Sequence, residues 1–196
     1  MTELTKVGTE QFAVLGLGAF LALIIPIAIA LTWKFRKHEK FTTILVGAAV
    51  FVIFALMLEK PIQNALVFPT QMGLAEHAAS RFINARPFLM ALILGLFPGV
   101  FEETGRLVAF RTVLRNRKNR ETAISYGIGH GGVEVIIVLV VTYITYIVYA
   151  VMINEGIFQN LIDQVAEEAP SQVDAMYALA DQIPRIGILD VGAGML

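Results

Sequence analysis

This sequence predicts an all-α, polytopic transmembrane helical bundle, and three observations carry that reading. The composition is 57% hydrophobic and 16% charged, with a mean hydropathy of +0.71, too apolar for a domain whose whole surface meets water. Four apolar runs reach the roughly 17–25 residues that a helix needs to cross a bilayer. The loops between them alternate between basic and mixed or acidic character, as the preference of Lys and Arg for the cytoplasmic side requires. About four spanning helices in a single membrane domain, residues 1–196, are therefore expected, with the lipid bilayer as the obligatory partner.

The first span is placed near Gln11 to Trp33. The preceding "MTELTKVGTE" lacks a basic n-region, and the apolar run after it is too long for the h-region of a cleaved signal peptide. Trp33 and Phe35 then sit at an interface, before the basic loop "KFRKHEK" (34–40). The second span is placed at Phe41 to Leu58, with Glu59 and Lys60 read as charges at a helix end. The third, Phe88 to Leu114, is the least apolar because Glu102, Glu103 and Arg106 interrupt it. The fourth runs from Ala123 to Ile153.

Charge placement predicts the topology. The loops 34–40 and 111–120 are rich in Lys and Arg and belong in the cytoplasm; 59–87 and the acidic segment 154–184 belong outside, with the N-terminus, in a multi-pass cell-membrane protein. The acidic segment reads as a solvated external stretch, with a short amphipathic helix broken at Pro170 and apolar faces at Leu161, Val165, Met176 and Leu179. The tail "RIGILDVGAGML" reads as the first turns of a fifth helix cut short, since Asp190 in so brief a stretch spans nothing. A net charge of −1 gives no sign of a nucleic-acid partner. The absence of cysteine removes disulfides, thiolate metal sites and a cysteine nucleophile. His38 and His77 read as surface residues, and Tyr143, Tyr146 and Tyr149 as packing.

The chemistry concentrates in two motifs. "EETGR" places Glu102 four residues and Glu103 three residues before Arg106; "GHGGVE" places His130 four residues before Glu134. Residues so spaced share a helix face. At 1.5 Å per residue, Glu102 lies roughly 18 Å and Arg106 roughly 12 Å from the cytoplasmic end of the third span, while Glu134 lies roughly 16 Å and His130 roughly 10 Å into the fourth. Two antiparallel neighbours then set Glu102 at the level of Glu134 and Arg106 at the level of His130. Charges at such depth need partners or a task. Pairs of glycines four apart, Gly95 with Gly99 and Gly127 with Gly131, predict close helix approach. Pro98 leaves a carbonyl of the third span without its donor and predicts a kink that opens the site to water. Clustered carboxylates beside an arginine divide into a proton acceptor and a proton donor, as acid/base hydrolysis requires, and His130 with glutamates could hold a divalent metal.

At these residues the sequence resembles the YhfC family of intramembrane metalloproteases, related to the wider CPBP group that includes CAAX prenyl endopeptidases and bacteriocin-immunity-type membrane proteins. The resemblance implies a peptidase acting on a peptide or membrane-protein substrate in or beside the bilayer. It assigns water activation to Glu102 or Glu103, support of the glutamates to Arg106, and metal binding or oxyanion stabilisation to His130 and Glu134. Zn²⁺ held by His130, Glu134 and Glu102 is the implied cofactor, and a glutamate-based, metal-independent reaction is the alternative within the group. Members of the group carry further polar helices after the second motif, so the resemblance implies for a chain ending at Leu196 either a truncated and inactive product or a site completed by another chain. Two other functions fit the same residues: a proton- or ion-coupled transport component, whose relays use intramembrane carboxylates and His, and a noncatalytic immunity or assembly protein whose polar core fixes packing. The sequence does not define an oligomeric state.

Overall fold

The computed structural model describes residues 4–117, 119–168 and 170–193. Among these the chain is helical, with no strand. The helices are α1 (Thr9–Lys37), α2 (Phe41–Val67), α3 (Ala78–Asn84), α4 (Pro87–Arg111), α5 (Arg120–Asn154), α6 (Phe158–Glu168), α7 (Val173–Gln182) and α8 (Ile188–Ala193). Four of them, α1, α2, α4 and α5, are long and apolar enough to cross a membrane. The predicted all-α polytopic bundle is the observed one.

Local chemistry sets the ends. Asn119 caps α5, its side-chain oxygen accepting from the Thr122 amide at 2.7 Å, so the helix starts before the predicted Ala123. Past the end of α4, the Thr112 hydroxyl donates to the Val108 carbonyl at 2.7 Å and Leu114 turns inward to be buried, which stops the helix at Arg111 rather than Leu114. His77 caps α3 by accepting from the Ser80 amide at 3.1 Å, and it is exposed, as a surface residue.

The larger difference lies in α2. The reading of Glu59 and Lys60 as helix-end charges is corrected: the helix continues to Val67, Phe51–Glu59 is π-helical, and Glu59 is 1% exposed. Lys60 Nζ lies 3.3 Å from Glu59 Oε1, close enough for Coulomb attraction but without hydrogen-bond alignment. A charge taken for a stop signal is thus a buried group with its countercharge beside it.

The chain forms two compact units, Pro26–Glu134 and the pair of segments Met1–Ile25 and Val135–Leu196. In the second of these, Leu15, Tyr143, Ala150, Ile153, Phe158, Ile162, Ala180 and Ile183 form one buried cluster. Gly18 lets α1 lie against the Tyr143 ring, 2.8 Å from where a Cβ would stand. Asn154 Oδ1 accepts from the Val7 amide at 2.8 Å and its Nδ2 donates to the Val7 carbonyl at 2.9 Å, tying the segment before α1 to the end of α5. The acidic stretch at 154–184 is helical and broken at Pro170, as expected, but it is not simply solvated: α6 and α7, with Ile183 just after α7, turn Phe158, Ile162, Ala180 and Ile183 into the cluster and leave Asp163, Glu167, Glu168 and Asp174 exposed. The expected apolar residues Leu161, Met176 and Leu179 are only partly buried around this centre. The tail contributes the short α8, and residues 194–196 of the predicted fifth helix lie outside the described residues.

Candidate functional site

The site lies within the unit Pro26–Glu134, and its scaffold is set by three glycines. A Cβ on Gly129 of α5 would strike the backbone of Ile44 on α2, and one on Gly47 of α2 would strike the backbone of Tyr126, with the His130 nitrogen at 2.9 Å. Backbone thus meets backbone, an approach only glycine permits. On α4, a Cβ on Gly105 would come within 2.7 Å of Val50 and Phe54 side chains of α2. The expectation that Gly95/Gly99 and Gly127/Gly131 make the close contacts is corrected: each of these four faces open space. The motif spacing recurs, but the face that packs is the other one.

Side chains beside these glycines fasten the helices together. Trp33 Nε1 donates to the fully buried Ser125 hydroxyl at 2.8 Å, so the tryptophan, read from the sequence as an interfacial residue, ties α1 to α5. Thr122 of α5 donates to Glu39 at 2.9 Å, and Arg117 reaches Thr42 and Thr43 of α2 at 3.2 and 3.3 Å, so each basic loop is fastened to the helix that follows the other.

Between α4 and α5 lies a cavity of about 630 Å³ lined by Glu102, Glu103, Arg106, Tyr126 and His130, with Leu107, Phe110, Ala123 and Gly127. Inside it His130 Nε2 is 3.1 Å from Glu102 Oε2, with side chains 15% and 31% exposed. With its proton on Nε2 the imidazole donates to the carboxylate. Phe51 meets the His130 ring edge-on at 5.4 Å between centroids, and Tyr126 stacks on it at 5.9 Å. Phe110 packs against Tyr126 at 5.3 Å. The imidazole is therefore held in a slot of aromatic walls with one edge turned to a carboxylate. Two buried polar atoms of this slot, His130 Nδ1 and the Tyr126 hydroxyl, have no hydrogen-bond partner among the described residues.

The structure separates what the sequence grouped. Arg106 Nη2 donates to Glu103, not to Glu102, and both members of that pair are more than half exposed. Glu134 is exposed and outside the cavity lining. The predicted levels are off by one turn because the helix ends moved. Counted from Arg111, Glu102 lies roughly 14 Å along α4, and counted from Arg120, His130 lies roughly 15 Å along α5, so these two residues meet and the expected Glu102–Glu134 pairing is not formed.

The same geometry tests the implied metal. A zinc site takes three or four protein donors. Glu102 and His130 supply two, the third predicted ligand Glu134 stands apart, and no group of three His, Cys, Asp or Glu side chains able to hold a metal occurs among the described residues. The residues present do not fit a complete metal centre.

Sequence reasoning missed Tyr126, Phe51 and Phe110 as parts of the site. Tyr126 left a readable signal, lying four residues before His130 and hence on the same face. Phe51 and Phe110 left none, being apolar residues in apolar helices.

Comparisons with known proteins establish the family of the chain. The chain is 28% identical over 156 residues to "Uncharacterized membrane protein YhfC" of Bacillus subtilis (strain 168), a match covering 80% of this chain and 58% of the relative. The chain thus spans under two thirds of the length of that curated relative. No solved structure matches it. The family model described as "YhfC intramembrane metalloprotease" matches residues 21–188, from within α1 to the start of α8 and across every residue of the cavity. On that match, the chain belongs to the YhfC intramembrane metalloprotease family.

Proposed function

We propose that the cavity between α4 and α5 hydrolyses a peptide bond of a peptide or membrane-protein substrate in or beside the bilayer, with Glu102 as the proton acceptor. The observation that carries this reading is the Glu102–His130 contact at 3.1 Å inside a cavity formed by two spanning helices. His130 Nε2–H fixes one carboxylate oxygen of Glu102 and leaves the other to accept a proton from water. The water oxygen bonds to the scissile carbonyl carbon. When the tetrahedral intermediate collapses, the C–N bond breaks and the proton held by Glu102 passes to the leaving amine. Glu103 and Arg106, paired at the more open part of the lining, are placed to contact substrate rather than water. The family description supports hydrolysis, while metal chemistry enters no step because the described donors do not complete a site.

The reading includes sidedness. Lys and Arg concentrate in loops 34–40 and 111–120, which supports a cytoplasmic position for both, and the cavity lining reaches from His130 to Phe110 and Ala123, toward the ends of α4 and α5 that the second of these loops joins. Thiol labelling of single cysteines introduced at Arg36 and Arg115 tests it, since the chain has no cysteine of its own. Labelling by an impermeant reagent in inverted vesicles but not in intact cells supports this orientation, and the reverse pattern contradicts it. The activity itself is tested by cleavage of a membrane peptide by reconstituted protein. Glu102→Gln and His130→Gln are each expected to lower the rate about 10²–10⁴-fold, and undiminished cleavage in either would remove the pair from the mechanism.

A further inference from the structure

Pro98 sits inside α4, one turn before Glu102, and has no N–H to give to the carbonyl four residues back, that of Leu94. In hydrocarbon a backbone carbonyl without a donor is costly, and prolines persist in spanning helices where a neighbour supplies the missing bond. Here the neighbour is identifiable. Gln63 of α2, 4% exposed, donates its Nε2 to the Leu94 carbonyl at 3.3 Å. We infer that Gln63 is a positioning residue for the site: by replacing the donor that Pro98 removes, it fixes the course of α4 and thereby holds Glu102 against His130.

Three further facts support the assignment. A buried glutamine in a spanning helix is expensive unless its amide is used, and the Leu94 carbonyl is its hydrogen-bonded partner here. The same helix α2 grips α4 on the other side of Pro98, where Val50 and Phe54 meet Gly105. Glu102 therefore lies on a length of α4 held by α2 at both ends. Finally, α2 also places Phe51 edge-on to the His130 ring, so one helix sets both members of the Glu102–His130 pair. This inference rests on the proposed use of that pair, but its test does not need activity.

The test uses the cysteine-free chain. With Glu102→Cys and His130→Cys, a bis-methanethiosulfonate reagent with a short spacer bridges α4 and α5 in detergent-solubilised full chain, and the bridging rate reports how the two positions are held. Gln63→Leu is expected to slow bridging about fivefold, the population shift that corresponds to the net worth of one hydrogen bond. Pro98→Ala restores the backbone N–H, so in that background Gln63→Leu is expected to change the rate less than about twofold, a coupling that general loosening of the fold does not produce. If Gln63→Leu alone fails to fold while Gln63→Leu with Pro98→Ala folds, the inference is upheld through stability instead. An unchanged rate with Gln63→Leu overturns it, as does equal slowing in both proline and alanine backgrounds, or failure of both variants to fold. Absence of bridging with Gln63 and Pro98 intact overturns the Glu102–His130 geometry, and with it the proposed function; normal bridging that ignores Gln63→Leu overturns the inference alone.

Discussion

The Glu102 carboxylate meets the His130 imidazole at 3.1 Å, joining two spanning helices through residues 28 apart in the chain. Its neighbour Glu103 points elsewhere, to Arg106. Adjacent positions on a helix are about 100° apart, so a pair of glutamates that looks like one feature in the sequence becomes two groups with different partners.

Gly129 is expected to be intolerant of any side chain. Gly129→Ala drives a Cβ into the backbone of Ile44, which cannot rotate away, and should lower stability by about 3 kcal/mol or more. Gly95→Ala, which meets open space, should leave stability unchanged or raise it. Thermal unfolding of the two variants in the same detergent checks the contrast. Equal losses would mean that the Gly95/Gly99 face is packed as well and would contradict the contrast.

Tyr126→Phe should be neutral to slightly stabilising. The hydroxyl is buried without a partner among the described residues, so its removal relieves a desolvation cost while keeping the ring that stacks on His130. An increase of up to about 3 °C in the unfolding midpoint is the expected range. A clear decrease would show that the hydroxyl has a partner.

Trp33→Phe keeps an aromatic ring but removes the bond to the buried Ser125 hydroxyl. A loss of about 1 kcal/mol is expected, and Ser125→Ala in the Trp33→Phe background should add less than it costs alone. Full additivity in a double-mutant cycle would contradict the bond.

Zinc should not be retained one per chain. Glu102 and His130 are two donors, and no third joins them among the described residues. Elemental analysis of the detergent-purified chain after dialysis is expected to give well under one zinc per protein. A stoichiometric ion lost on His130→Ala would show that donors gather in a way these side chains do not.

Much of this was legible in the sequence, and the reasons are physical. Apolar run length reports spanning helices directly because the bilayer excludes anything else. Four runs were read, and α1, α2, α4 and α5 are the result. The site's raw materials were also legible, since Glu102, Glu103, Arg106 and His130 stand out in an apolar context. What escaped was pairing. A shift of a few residues in where α4 stops and α5 starts moved Glu102 from the level of Glu134 to that of His130, and those ends depend on the Asn119 cap and the inward turn of Leu114. The packed glycines escaped for a related reason: Gly47 and Gly129 match each other across two helices, whereas the recognisable spacing lies within one. Glu59 gives no signal of its burial, because a charge near the end of an apolar run looks the same whether the helix stops or continues.

In the proposed reaction Glu102, not Glu103, is the working carboxylate. Cleavage of a membrane peptide by reconstituted protein, compared between Glu102→Gln and Glu103→Gln after both are shown to fold, separates the two. The structure predicts a loss of about 10²-fold or more for Glu102→Gln and less than about tenfold for Glu103→Gln, whose carboxylate is exposed and occupied by Arg106. The opposite order would place the chemistry on the Glu103–Arg106 pair and leave the Glu102–His130 contact as packing.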